Sequence, residues 1–60
     1  IPSYGLVQEV RSRLGLVTAS GLAARLGGKV ARLPHTISED ERTIIRQLAQ
    51  ARNAVLPKHL

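Results

Sequence analysis

Arg25, Lys29 and Arg32 stand at i, i+4 and i+7, a spacing that gathers three cations on one exposed face if a single helix carries them. Like charges placed so repel one another by roughly 0.2–0.5 kcal/mol per pair. An acidic partner relieves that repulsion, and a phosphate backbone is the commonest partner of this kind. The plainer alternative is a solvated face with no ligand. Arg11 and Arg13 would add flanking charge from an earlier segment.

Two other groups of charged residues are read differently. Arg42 and Arg46 repel as a pair, but Glu39 lies one turn earlier and neutralises part of that charge. Glu39-Asp40-Glu41 complements the positive end of a helix, and the same acids argue against that end entering a DNA groove. Glu41 and Arg52 fall inside an apolar arc and are too far apart to pair with each other. Each needs an edge position or a partner. A symmetric antiparallel helix pair would let Arg52 meet Glu41 of a second copy, with Ile45, Leu48 and Val55 along the same interface.

Catalytic chemistry has little to build on. His35 and His59 fall in a turn and a tail, with no Cys, Ser or carboxylate at a dyad spacing, and two His lack the further ligands of a metal site. Gly27-Gly28-Lys29 lacks the earlier Gly, the following Ser or Thr and the preceding strand of a phosphate loop. The expectation is a protein that is not an enzyme, with no cofactor, no metal and no small-molecule substrate.

The elements that must position these residues are helices, because no alternating pattern lasts long enough for a strand. Ser38 followed by Glu41 reads as a capping box. The helix it opens, about 38–56, carries Ile37, Ile44, Leu48, Ala51 and Val55 on one arc, with Ile45, Ala49 and Leu56 beside it, and Pro57 ends it. Lys58-His59-Leu60 reads as a frayed tail. A first helix over about 4–14, capped by Ser3, places Leu6, Val7, Val10 and Leu14 on one face and stops at Gly15; Tyr4 points away from that stripe.

A second helix begins near Thr18 or Ser20, with Ala19, Leu22, Ala23 and Leu26 as its apolar face. At Gly27-Gly28 two readings compete. Two interior glycines cost about 2 kcal/mol against alanine, which favours a turn there. Val30 and Leu33 nevertheless keep the phase of Leu22 and Leu26, which favours one helix over 18–33 ending at Pro34. The recovered phase tips the balance to the continuous helix. Arg13-Leu14-Gly15 recurs as Arg25-Leu26-Gly27, too short to claim a repeat.

Thr18-Ala19-Ser20-Gly21-Leu22-Ala23-Ala24-Arg25-Leu26-Gly27 resembles the first helix and turn of a helix-turn-helix DNA-binding domain. Thr18 would cap, Ala23 would face the partner helix and Gly27 would make the turn. The resemblance covers ten residues. It implies a recognition helix starting near Lys29, which Pro34 would cut to barely a turn, so phosphate contact rather than base reading is what it implies for Lys29 and Arg32.

Sixty residues form at most one domain, and a chain this small buries only about 60% of its unfolded surface. With no Cys, Met, Trp or Phe and one Tyr, the core must come from Leu, Ile, Val and Ala, and no disulfide staples it. Completion by a homodimer, or by docking to a larger protein, is expected for that reason. The start at Ile1-Pro2 points to a module or fragment of a larger protein. No run of about 18 apolar residues spans a membrane, no signal peptide is evident, and the absence of Cys fits the cytoplasm.

The reading is an all-α three-helix bundle that binds nucleic acid, DNA ahead of RNA, through Arg25, Lys29 and Arg32 with Arg11 and Arg13 flanking. A protein-protein or dimerisation module is the alternative. Neutralising four or five phosphates would give a slope of log K on log salt of about −4.

Overall fold

The computed structural model describes residues 2–29, 36–58 and 60. They form three helices and no strand: α1 (Pro2–Leu14), α2 (Leu16–Leu26) and α3 (Glu39–Ala51). The chain is the small all-α bundle that the periodicities predict, with different helix boundaries.

α1 opens at Pro2, where a missing amide hydrogen costs nothing because a first-turn amide has no intrahelical partner. Ser3 therefore lies inside the helix rather than capping it. The anticipated stripe is real: Leu6 and Val10 are fully buried, and Val7 and Leu14 pack against the core at half burial. Gly15 ends α1 as anticipated, with its amide bonded to the Arg11 carbonyl at 3.0 Å. Its φ of +98° belongs to the left-handed region, which a residue without Cβ enters at no steric cost. The same glycine is the N-cap of α2.

Thr18 is consequently not a cap. It lies within α2 and is 3% exposed. The buried face of α2 is Thr18, Ala19, Gly21 and Leu22, a shift of one residue from the expected set, with Leu26 half-buried and Ala23 exposed.

α2 stops at Leu26, and the continuous helix to Leu33 is not formed. The Gly28 amide bonds to the Arg25 carbonyl at 3.2 Å and the Lys29 amide to the Ala24 carbonyl at 2.7 Å, with Gly28 at φ +78°. That paired pattern around a left-handed glycine is a Schellman stop. Val30 to His35, including the rest of the expected arc, lie outside the described residues. Both Arg-Leu-Gly triplets thus mark helix C-termini.

α3 has the reciprocal capping box anticipated at Ser38. Ser38 Oγ accepts from the Glu41 amide at 3.2 Å, and the Glu41 carboxylate accepts from the Ser38 amide at 3.0 Å. The helix ends at Ala51, five residues before the expected end. Asn53 takes φ +54°, its amide bonds to the Gln50 carbonyl at 3.2 Å, and the Ala54 amide bonds to the Ala49 carbonyl at 2.9 Å. This is a second Schellman stop, with Asn in place of Gly, so termination precedes Pro57.

α1 packs on both other helices. Ser3, Tyr4 and Val7 face Ala23 and Leu26 across a groove, so α2 runs back along α1. Arg52, past the end of α3, reaches Glu9 and lies beside Gly5, while Glu41 in the first turn of α3 reaches Thr18 just beyond the end of α1, so α3 also runs opposite to α1. The core is Leu6, Val10, Ala19, Leu22, Ile37, Ile45, Ala49 and Leu60. Enclosing each of its Leu, Ile and Val side chains contributes about 1.5–3 kcal/mol. Leu60 corrects the expectation of a frayed tail. It is 3% exposed, and its backbone oxygen accepts from the Arg46 guanidinium at 2.8 Å.

Candidate nucleic-acid interface

The row of three cations does not exist as one helical face. Arg25 is in the last turn of α2, half-buried, with Nη1 donating to the Gly21 carbonyl at 3.0 Å. Lys29 follows the glycine stop and is exposed. Arg32 lies outside the described residues. Periodicity carried the phase across Gly28, but a left-handed residue turns the chain off the helix axis whatever sequence follows.

Arg11 and Arg13 are both exposed in the last turn of α1, where cations offset the negative end of the helix. They are two residues apart and point to opposite sides of the helix. Arg13 Nε donates to Glu9 Oε2 at 2.8 Å. Arg11 and Lys29 form no ion pair among the described residues.

Glu9 also accepts from Arg52 at 3.1 Å. The guanidinium of Arg13 first, and that of Arg52 second, hold the Glu9 carboxyl below its ordinary value of 4.5. Arg52 thus finds its partner within the chain. So does Glu41, whose Oε1 takes the Ser38 amide while Oε2 accepts the Thr18 hydroxyl at 2.5 Å. The partner that each residue was expected to need is supplied by contacts reaching 43 and 23 residues along the chain. Ile45, expected at the same interface, is fully enclosed in the core, and Leu48 is half-buried against it. Val55 is past the end of α3 and 87% exposed. Arg42 pairs with Glu39 at 3.1 Å as anticipated.

The helical period turns Tyr4 away from the α1 stripe but assigns its ring no role. It is 64% exposed and lines a shallow, open groove of about 320 Å³ with Ser3, Val7, Ala23 and Leu26. The period gives the exposure, and composition adds that a chain short of large core side chains leaves its one Tyr outside the core. Ala23, expected to face a partner helix, is the exposed wall opposite.

No protein-family model, curated protein or solved structure matches this chain.

The helix-turn-helix resemblance therefore stands on residues 18–27 alone, and the recognition helix it implies would fall largely on residues outside those described. The next described helix, α3, begins Glu39-Asp40-Glu41, which a phosphate backbone repels. Among the described residues no three of His, Asp and Glu are grouped as a metal site, and His35 and His59 lie outside them. No helix of the described residues is long and apolar enough to cross a membrane.

Proposed function

We propose that this chain is a small basic helical module, not an enzyme, that binds nucleic acid through its phosphate backbone. The observation behind the reading is the unequal use of the two signs of charge. Three of four carboxylates are bonded internally: Glu9 to Arg13 and Arg52, Glu39 to Arg42, and Glu41 to Ser38 and Thr18. Arg11, Lys29 and Lys58 stand exposed, and none forms an ion pair among the described residues. With a net charge of +5, the chain attracts polyanions, and releasing their counterions supplies the binding free energy.

Titration of random-sequence DNA and RNA across several salt concentrations tests this. With three phosphates neutralised on a duplex, log K should fall against log salt with a slope of about −2.7. Replacing Arg11 and Lys29 together with Gln should weaken binding to all sequences alike and flatten the slope by about 2. Salt-independent affinity, or no binding to any strand at low salt, overturns the reading.

A second reading, docking to another protein, has one observation in its favour. Leu16 and Val17, adjacent at the start of α2, are 60% and 62% exposed. Sedimentation at several concentrations, with Leu16→Ser and Val17→Ser as controls, separates this from nucleic-acid binding.

A further inference from the structure

We infer that the nucleic acid this chain takes is single-stranded, gripped by an unpaired base stacked on Tyr4 in the groove between α1 and α2. The inference rests on the nucleic-acid reading above and narrows it to a ligand class.

Tyr4 is the one Tyr of a chain with no Phe or Trp. A bundle whose core is limited to Leu, Ile, Val and Ala leaves its largest apolar surface 64% exposed. Core packing does not account for the ring, and its hydroxyl accepts from nothing deeper than the Gln8 amide, at 3.3 Å on the same exposed face. The ring instead forms one wall of the groove, with Ala23 and Leu26 on the other wall. A methyl group at position 23 leaves that side open. At about 320 Å³ the space admits a planar ring of nucleobase size, and apolar walls suit the face of a base.

The charges around the groove suit the rest of a nucleotide. Tyr4, Gln8 and Arg11 occupy i, i+4 and i+7 on α1 and are all exposed, so the helix shows one strip bearing a ring, an amide and a cation. Arg11 stands about 10 Å along the axis from Tyr4, where it can meet a phosphate beside the stacked base. Gln8 lies between and can exchange hydrogen bonds with a base edge. Lys29 follows three residues after Leu26, at the end of the opposite wall. The one acidic residue of α1, Glu9, sits about 140° round the helix from Tyr4, where Arg13 and Arg52 hold it. No carboxylate of α1 therefore opposes a strand on the strip. A base inside a duplex has both faces covered by its neighbours and cannot stack on a side chain without leaving the helix. An unpaired base can, whatever its identity.

Fluorescence anisotropy of the full chain with labelled oligo-dT, oligo-U and a duplex of equal length tests this. The single strands should bind about ten-fold more tightly than the duplex, the order expected for one base stacked on an aromatic side chain. Tyr4→Phe should keep that preference. Tyr4→Ala should bring the single strands to the affinity of the duplex while leaving the salt slope unchanged. Tyr4→Leu, which keeps apolar bulk without a π face, should behave as Tyr4→Ala and guards against an effect on folding. The ring protons of Tyr4 should move upfield on adding oligo-dT. Equal affinity for single and double strands, with those signals unmoved, overturns the inference and leaves the backbone reading standing. Absence of binding to every strand overturns both.

Discussion

Glu41 and Glu9 each tie one helix to another through one carboxylate oxygen while the other oxygen bonds within their own helix. Glu41 ties the first turn of α3 to the buried hydroxyl of Thr18, and a hydrogen bond to an ionised oxygen is stronger than a neutral one. Thr18→Val keeps the shape and removes the donor. The half-exposed carboxylate regains water, so the loss should be about 1–2 kcal/mol in denaturant unfolding. Glu9 makes a pH prediction with a definite sign. Its folded value is depressed below 4.5, so its stabilising contribution is complete above about pH 4.5 and disappears as pH falls through the lower folded value. The melting temperature of the native chain should therefore fall more steeply below pH 4.5 than that of Glu9→Gln. Parallel curves would show that the two guanidiniums add nothing. Neither partnership was legible in the sequence. Each joins residues of different helices, and spacing along one helix could show only that Glu41 and Arg52 lay on an apolar arc without a partner there.

Helix ends divide according to how local their causes are. The Ser38–Glu41 box and the Gly15 stop need nothing beyond a few neighbouring residues, and both were legible. The stops at Gly28 and Asn53 are equally local, but the apolar phase continued past each one and outweighed them. Gly28 and Asn53 occupy the left-handed region, where a Cβ costs roughly 1–2 kcal/mol. Gly28→Ala should lower stability by that amount although space for the methyl group is open. Gly5→Ala should have the opposite sign. Its new Cβ would meet Arg52 Nε at 3.5 Å, ordinary contact, and an interior helical glycine gains about 0.5–1 kcal/mol on becoming alanine. Thermal melts followed by circular dichroism compare the two directly. Two losses, or two gains, would contradict this account of the helix ends.

The whole molecule closes on itself. Its radius of gyration of 10.2 Å matches the roughly 10 Å expected of a compact chain of this length. The apolar stripe of α1 was legible because burial follows the helical period; on α3 the buried residues are Ile45 and Ala49, expected beside the arc, while Ala51 on the arc is exposed. The return of the chain after α3 was not legible, since nothing local says that Leu60 reaches the core. Leu60→Ala should cost about 2–5 kcal/mol, as for other enclosed leucines. A change under about 0.5 kcal/mol in chemical denaturation would mean that the tail is not part of the core.

The one-residue joint at Gly15 bears on the order of assembly. Two helices separated by a single residue meet with almost no loop-closure entropy, whereas the contacts that fasten α3 join residues 23 and 43 positions apart. The α1–α2 hairpin should form in the folding transition state and α3 should dock afterwards. Truncating Val10 or Leu22 should then slow refolding, while truncating Arg52 should chiefly speed unfolding. The tight turn that positions the groove would also make it the first part of the molecule to exist.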